Sequence, residues 1–434
     1  MRKTKVVVIG AGSVSFGPSC LRDAVQCPEF RGSELCLVDI NGEALAKMER
    51  LARRLNEESG AGLRLTATTD RRKVLSGAEF VITAIAINRN ELWKLDWEIP
   101  RKYGIRQVLG ENGGPGGLSH ALRNIPVILE ICRDMEELCP SATLINFTNP
   151  ESRLVMAVSK HTRIRAIGLC HGVQAGRDAV AEMLGFEPEQ VDVKAAGLNH
   201  IVCFLAIRHR ETGQDLYPRL RALADSYPEG YPCKVWVGQL NLTFEMMRTF
   251  GWFLAPSDDH IGEYLGFAWE KAGPHGFDFA GADRQRAENW QRIDAVISGL
   301  QPPGDWLTKP SGEAEFEIIS AALAGRNDYI LAVNIPNAGC ITNLPPSAVV
   351  EVPAIAGPDG VRGLAMGDLP FGIAALSRNQ VAVQELVVEA AVHGDREAAL
   401  QAMLLDPVID SIDTARKVLD ELLAVHAPHL PQFR

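Results

Sequence analysis

An apolar run followed at once by two glycines constrains the fold more than any other feature of the chain. Lys5 to Ile9 is rich in β-branched residues and shows no alternation, as in a strand buried on both faces of a parallel sheet. Gly10 and Gly12 follow and open a predicted helix, and Asp39 ends the next apolar run. Gly10 permits a tight turn, Gly12 lets a pyrophosphate approach the helix N-terminus, and Asp39 can bind an adenosine ribose. This order of elements predicts NAD binding, with Ser13 as a further contact.

Apolar runs and helical patterns alternate through the first half of the chain. Runs typical of buried strands recur at 35–39, 63–68, 80–85 and 143–147, and helical patterns cover 43–58 and 118–138. Such alternation builds an open, mostly parallel sheet with right-handed crossovers. We therefore predict an α/β fold whose residues 1–195 form a Rossmann-like, doubly wound parallel sheet, in an architecture like that of lactate and malate dehydrogenases.

The pattern changes after residue 150 without any flexible linker. Strand-like runs at 191–196 and 201–207 precede a mainly helical region at 216–290, and strand and loop at 329–352 precede helices at 385–405 and 413–425. The sequence predicts a second, α+β lobe at residues 196–434 that packs closely on the first.

Composition and charge exclude several classes of protein. The chain is 46% hydrophobic and 23% charged, which is ordinary for a globular protein and excludes a disordered one. Its 44 basic and 54 acidic residues give a net charge of −10, which argues against nucleic acid or an anionic membrane as a partner. Nine cysteines without a CxxC pair indicate a reducing, cytoplasmic compartment. We expect no signal peptide and no membrane helix, since a strand starts at Lys5 and the longest uncharged stretch contains three prolines.

Three polar segments follow strands, where open α/β sheets bind ligands. Asn149 precedes Pro150, which favours extended backbone, so its amide could contact a sugar or a nicotinamide, or simply form a turn. Cys170 and His171 are adjacent in a turn of small residues, and neighbours in a strand point to opposite sides, so one of them rather than both is expected to bind a metal. His200 follows another apolar strand. Two protein ligands leave positions for substrate hydroxyls, which suits Mn²⁺ better than structural zinc.

Taken in order, these segments resemble glycoside hydrolase family four, whose members are NAD- and metal-dependent glycosidases. The resemblance covers nearly the whole chain. It rests on VIGAGS at 8–13, GGPGG at 113–117, LRNIP at 122–126, INFTNP at 145–150, CH at 170–171, NH at 199–200, NIPN at 334–337 and NLP at 343–345.

The resemblance implies ligands for the metal and contacts for the substrate. Cys170 and His200 would bind Mn²⁺ or another divalent metal, and Asn149 and His260 would contact the substrate. Members acting on phosphorylated sugars usually carry an acidic residue directly after the metal-binding cysteine, where this chain has His171. The resemblance therefore implies an unphosphorylated sugar, as an α-glucoside, α-galactoside or uronide. The loop at 110–114 departs from the commoner family pattern, which leaves the sugar open.

The segment SDDHIGEY at 257–264 resembles the same members and implies a base. Asp258, two residues before the histidine, would abstract a proton from the sugar, and Asp259 is the alternative base. A non-catalytic alternative is that these aspartates only cap a helix. The implied reaction first moves a hydride from C3 of the sugar to NAD⁺ and then removes the C2 proton, while the metal acts as a Lewis acid. The C1 group then leaves with help from His171, water adds, and the hydride returns to C3. This family is an exception to the paired-carboxylate rule for glycosidases, so carboxylate spacing assigns nothing.

Two other functions compete with this interpretation. A 2-hydroxy-acid dehydrogenase of the malate or lactate type could use His200 as its catalytic base and Arg123 as its carboxylate clamp, but it has no role for Cys170 or a metal. A non-catalytic NAD-sensing module would need only the first half of the chain. Metal dependence discriminates the glycosidase from the dehydrogenase. For the glycosidase we expect a small-molecule glycoside as the partner and a homodimer or homotetramer as the assembly, built through the second lobe.

Overall fold

Strands and helices alternate in the first half of the chain, as the apolar runs predict. The structure is a computed structural model that describes residues 2–227, 231–235, 238–273 and 277–433. The strands of this half are β1 (Lys5–Ile9), β2 (Glu34–Val38), β3 (Arg64–Thr68), β4 (Phe80–Thr83), β5 (Thr143–Asn146) and β6 (Arg165–Gly168). Its helices are α1 (Gly17–Gln26), α2 (Gly42–Ser59), α3 (Arg72–Leu75), α4 (Arg89–Lys102), α5 (Gly114–Leu138), α6 (Glu151–His161) and α7 (Gly172–Leu184).

The second half mixes hairpins and helices. Its strands are β7 (Val191–Leu198), β8 (Ile201–His209), β9 (Pro232–Cys233), β10 (Gly238–Gln239), β11 (Leu254–Ala255), β12 (Asp328–Pro336), β13 (Val349–Gly357) and β14 (Gly360–Gly363). Its helices are α8 (Tyr217–Ser226), α9 (Asn241–Phe250), α10 (Asp258–Ile261), α11 (Trp269–Ala272), α12 (Phe279–Ile297), α13 (Glu315–Ala324), α14 (Phe371–His393), α15 (Arg396–Leu405) and α16 (Ile412–Val425).

The six strands of the first half form a parallel sheet in the order β3-β2-β1-β4-β5-β6. This is the strand order of the dinucleotide-binding doubly wound fold, and the direction of winding reverses between β1 and β4. Loops at the carboxyl ends of the two strands separate there and leave a crevice for a ligand. The Rossmann-like prediction is confirmed.

The second half extends the same sheet with antiparallel strands. Beyond β6 the order continues through β12, β13, β7, β8 and β11, and β14 pairs with β13. The boundary predicted near residue 195 therefore falls inside β7, a strand of the shared sheet. The division into two domains stays a prediction.

Apolar clusters cover both faces of the sheet. Val6 and Val8 belong to one cluster and Val7 and Ile9 to another, which explains why β1 shows no polar alternation. Burial of a side chain of this size contributes roughly 1.5–3 kcal/mol. The first cluster also contains Ile330 of the second half, so the two halves share a core.

The sequence leads us to expect no membrane-spanning helix and no disulfide framework. Along the described parts of the chain, no helix combines the length and the apolar character that a membrane span requires. All nine cysteines are free, and eight of them are buried, Cys170 being half-buried. Buried thiols of this kind act as small apolar side chains.

Candidate active site

The glycine turn after β1 lies against the neighbouring strand β4. Gly10 has a φ of 92°, and a Cβ added there would lie 2.3 Å from the carbonyl oxygen of Ala84. The N–H groups of Gly10 and Ala11 both donate to the carbonyl of Val38 at the end of β2, at 2.9 and 3.1 Å. Only glycine fits this position, because a side chain would meet backbone that cannot move.

Asp39 organises the same turn from the end of β2. Its Oδ2 accepts a hydrogen bond from the N–H of Gly12 at 2.8 Å, and a Cβ at Gly12 would collide with that carboxylate. The side-chain oxygen of Ser13 accepts from the N–H of Phe16 at 3.2 Å. The helix predicted to open at Gly12 begins only at Gly17, and turns occupy the residues between them. A proline stands in the first turn of α1, where proline is favoured.

Cys170 and His200 meet at the carboxyl edge of the sheet. Cys170 lies two residues after β6, and His200 occupies the two-residue turn between β7 and β8 with a φ of 65°. The Sγ of Cys170 lies 3.6 Å from the Nε2 of His200. At this separation a thiolate and an imidazole would be close enough to hold one shared divalent ion. The described residues contain no group of three or more His, Cys, Asp or Glu with metal-binding geometry.

Burial favours the neutral forms of both side chains. Burial, assisted by the charge of Glu351, raises the pKa of Cys170 well above its usual value. Burial, assisted by His260, lowers the pKa of His200 well below its usual value. The imidazole is thus already in the form that binds a metal, whereas the thiol must release a proton when it does so.

His171 faces a different partner from that of Cys170. Its Nδ1 lies 3.3 Å from the Oε1 of Glu313, in the loop before α13, and this hydrogen bond raises the pKa of His171. More than half of its side chain is exposed. That only one of the two adjacent residues binds a metal stays a prediction.

Asp258 caps a helix in this structure. Its two carboxylate oxygens accept hydrogen bonds from the N–H of Leu242 at 2.6 Å and from the N–H and hydroxyl of Thr243 at 2.8 and 2.7 Å, at the start of α9. Burial raises the pKa of Asp258 to about 6. Both of its oxygens thus face donors at the start of α9, and its role as the base stays a prediction.

His260 lies next to His200 of the candidate ligand pair, and Asp259 contacts His260. The Oδ1 of Asp259 is 2.8 Å from the Nδ1 of His260, and the rings of His260 and His200 have their centroids 4.4 Å apart. Burial alone would lower the pKa of His260, but the contact with Asp259 outweighs burial and raises this pKa to about 9. Burial raises the pKa of Asp259, but His260 holds it well below its usual range. The two side chains therefore form an ion pair beside the candidate metal ligands.

Asn149 contacts Glu111, which in turn contacts Arg89, and the sequence analysis gave neither of these two residues a role. Its Nδ2 donates to the Oε1 of Glu111 at 3.3 Å, and Arg89 contacts the same oxygen at 2.6 Å. Burial raises the pKa of Glu111, but Arg89 and nearby histidines lower it below the usual value, so that Glu111 is an anion. The position of Glu111 in the unusual loop at 110–114 is the sequence feature that could have pointed to it. No sequence feature points to Arg89.

Glu263 holds this loop in place from the end of the Asp259–His260 segment. Its Oε1 accepts the backbone N–H groups of Glu111, Asn112 and Gly113, at 2.6, 2.9 and 3.4 Å. Burial, together with the charge of Glu111, raises the pKa of Glu263 to about 7. The carboxylate ties two segments of the site together, a contact across about 150 residues that no local pattern reveals.

The alternative carboxylate clamp, Arg123, lies in the protein interior. Its guanidinium contacts both oxygens of Asp96, which in turn lies 2.9 Å from the Nε2 of His426. All three side chains are at most 2% exposed. Arg123 thus has no access to a substrate, and the role proposed for it in the dehydrogenase alternative is wrong.

Comparison with known proteins identifies relatives over the full length of the chain. Residues 5–186 match the sequence model of family 4 glycosyl hydrolases, and residues 195–409 match that of the family 4 glycosyl hydrolase C-terminal domain. An alpha-glucosidase from Erwinia rhapontici is 35% identical over 98% of this chain and 99% of its own length. An alpha-galactosidase from Bacillus subtilis (strain 168) is 30% identical, with coverage of 99% and 100%. A probable 6-phospho-beta-glucosidase from the same strain is 32% identical, with coverage of 99% and 98%.

Solved structures agree with this assignment. A putative glucosidase, lplD, from Bacillus subtilis superposes with a TM-score of 0.89 at 29% identity, covering 98% of this chain and 100% of that one. A 6-phospho-alpha-glucosidase from gut microorganisms, in complex with NAD and Mn²⁺, superposes with a TM-score of 0.87 at 24% identity over the whole of both chains. Malate dehydrogenase from Salinibacter ruber, at 16% identity and a TM-score of 0.51, covers 90% of this chain and 100% of its own, and shows the expected dehydrogenase-like architecture. The full-length sequence matches, together with the Cys170–His200 pair at the edge of a doubly wound sheet, place this chain in family 4 of the glycoside hydrolases.

Proposed function

We propose that this chain hydrolyses α-glycosides of unphosphorylated hexoses or hexuronic acids, with NAD⁺ and a divalent ion, preferably Mn²⁺. The observation that carries the proposal is the 3.6 Å separation of the Cys170 Sγ and His200 Nε2 atoms. The pair lies on the same sheet as the glycine turn after β1 and at the same, carboxyl-terminal edge. When bound, NAD⁺ would supply a hydride acceptor and the ion a Lewis acid.

Residues at each end of the site bind its ligands. Gly10, Gly12 and Ser13 would place backbone N–H groups near the pyrophosphate, and Asp39 would accept hydrogen bonds from the adenosine ribose. Cys170 and His200 would hold the ion, since a thiolate and an imidazole suit Mn²⁺ better than Mg²⁺.

Asn149 and its neighbours orient the sugar. The Asn149 amide can donate to one sugar oxygen and accept from another, and Glu111 can accept a hydroxyl proton. His260, whose ring contacts that of His200, is the other proposed substrate contact. Arg89 keeps Glu111 ionised and in place.

Asp259 is the proposed base that removes the C2 proton. Geometry has priority over pKa in choosing a base: Asp259 contacts His260, whose ring lies against that of His200, while Asp258 caps α9. His171, whose pKa is raised by its hydrogen bond with Glu313, would donate a proton to the leaving oxygen at C1. Its exposed side chain suits contact with an aglycone.

The absence of an acidic residue after Cys170 supports the unphosphorylated substrate, since His171 stands there. A panel of nitrophenyl α- and β-glycosides, including glucosides, galactosides, uronides and 6-phosphoglycosides, tests the substrate class. Activity should require NAD⁺, disappear with EDTA and return with Mn²⁺ more fully than with Mg²⁺. Preference for the 6-phosphoglycosides would overturn the substrate class, and full activity in EDTA would overturn the mechanism.

Solvent exchange tests the proton step directly. Hydrolysis in D₂O should place deuterium at C2 of the released sugar, because the abstracted proton exchanges with solvent before it returns. A product without deuterium at C2 would exclude elimination and with it any base at Asp258 or Asp259.

A further inference from the structure

A row of residues crosses the sheet directly below the candidate metal ligands. Asn146 of β5 pairs with Gly168 of β6, Gly168 with Asn334 of β12, Asn334 with Glu351 of β13, and Glu351 with Gly197 of β7. Residues paired in register project to the same face of a sheet. The row thus brings two amides and a carboxylate to one level. Asn334 and Glu351 lie between Gly168 and Gly197, which have no side chains, and Asn146 lies on the far side of Gly168.

A carboxylate from α6 fills the space above the first of these glycines. A Cβ added to Gly168 would lie 1.2 Å from the Oε1 of Glu151. Glu151 and Glu351 are each 1% exposed, and Asn334 is fully buried. Burial of polar groups in the centre of a sheet costs free energy of folding unless those groups are hydrogen-bonded.

The layer reaches the metal ligands through Asn199. The Nδ2 of Asn199 donates to the Oε2 of Glu351 at 3.1 Å, and Asn199 is itself 1% exposed. Asn199 and His200 form the turn between β7 and β8. One amide therefore connects Glu351 to the turn that carries His200.

The turn needs an external contact to keep its shape. His200 has a φ of 65°, a conformation in which residues with a side chain are uncommon. A hydrogen bond from the preceding side chain to a buried carboxylate fixes the amide plane of Asn199 and restricts the turn.

We propose that Glu351 is a positioning residue for the divalent ion: it orients the Asn199 amide and, through it, the turn that carries His200. Its hydrogen bond goes to Asn199 and not to a ligand atom. The inference rests on the proposed metal site and adds a residue that sets its affinity. Partners of metal ligands are themselves worth about 10–100-fold in metal affinity.

Mn²⁺ binding to the full chain tests the proposal without recourse to activity. The electron paramagnetic resonance signal of free Mn²⁺ gives the dissociation constant for the wild type, Glu351→Ala, Asn199→Ala and the double variant. Each single variant should bind Mn²⁺ about 10–100-fold more weakly. The double variant should lose no more than one single variant, because Glu351 acts through Asn199. Additive losses, or wild-type affinity in Glu351→Ala, would overturn the proposal.

Two conservative variants separate positioning from folding. Glu351→Gln keeps an oxygen that accepts the Asn199 amide, so its Mn²⁺ affinity should stay within about threefold of the wild type. Glu151→Gln alters another buried carboxylate of the same layer, one to which the Asn199 amide does not donate, and it should leave the affinity within about twofold. A large loss in Glu151→Gln would overturn a specific role for Glu351.

NAD⁺ affinity is the control for the fold, because the glycine turn after β1 lies outside this layer. It should be unchanged in every variant, and Asn199→Ala carries the test if Glu351→Ala does not fold. Failure of the wild type to bind Mn²⁺ would overturn the proposed function together with this inference. Normal wild-type binding with unaffected variants would overturn this inference alone.

Discussion

Asp39 illustrates how one side chain serves both the turn and the proposed cofactor. Its Oδ2 holds the N–H of Gly12, so its removal loosens the turn as well as the ribose contact. We expect Asp39→Ala to weaken NAD⁺ binding about tenfold or more, the cost of a hydrogen bond to a charged group. Calorimetric titration with NAD⁺ and NADP⁺ measures this. The wild type should prefer NAD⁺, since a carboxylate repels a 2′-phosphate, and a preference for NADP⁺ would refute the assignment.

The two adjacent aspartates offer a matched pair of variants. Asp259→Asn should lower kcat about 10²–10⁴-fold, the usual contribution of a general base, with NAD⁺ affinity unchanged. Asp258→Asn should keep most activity and lose about 1 kcal/mol or more of stability, because an amide nitrogen would face a backbone donor of α9. Steady-state kinetics and thermal unfolding of both variants decide between them. The reverse pattern would restore Asp258 as the base.

The ligand pair is tested by removing either member. Cys170→Ser and His200→Ala should each abolish Mn²⁺-dependent hydrolysis while NAD⁺ still binds, since the glycine turn is separate from the pair. Activity under saturating Mn²⁺ and NAD⁺ is the measurement. Full activity in either variant would contradict the assignment of Cys170 and His200.

At the scale of elements, local patterns predict the strands of the parallel sheet well and long-range contacts poorly. β1 is predicted at its observed bounds because both of its faces are apolar. The predicted helix at 385–405 proves to be two, α14 and α15, because Gly394 adopts a φ of 67° and Asp395 caps α15. The pairing of β12 with β6 joins residues more than 150 positions apart, and no local signal specifies it.

The link between the loop at 110–114 and Glu263 has a pH signature. The folded-state pKa of Glu263 is about 7, above the usual 4.5, so the folded protein binds this proton more tightly than the unfolded chain does. Its contribution to stability therefore falls as pH rises from about 4.5 to 7, by on the order of 3 kcal/mol in total. Glu263→Gln lacks this titration, so its stability relative to the wild type should improve between pH 5 and pH 8. Urea unfolding at several pH values measures the difference, and a difference independent of pH would contradict the pKa.

At the scale of the whole molecule, the sequence predicts the fold class and brings Cys170 and His200 forward as candidates. The family resemblance implies that both of them bind the metal. It does not predict that the second half continues the sheet of the first. Neither does it reveal Glu313 or Arg89, since each acts through a partner that only the fold brings near. Side chains that bind a ligand stand at strand ends, which patterns reveal, whereas those that position them are scattered through helices and loops.

The continuous sheet makes a prediction about cooperativity. β7 crosses the predicted boundary near residue 195, and one apolar cluster includes Val6 and Ile330. We therefore expect a single calorimetric unfolding transition rather than two. NAD⁺ at about 100 times its dissociation constant stabilises the folded state by about 2.7 kcal/mol, which for a chain of this length raises the whole transition by about 3 °C. Two transitions, of which NAD⁺ shifts only one, would show instead that residues 1–195 and 196–434 unfold as separate domains despite the strands they share.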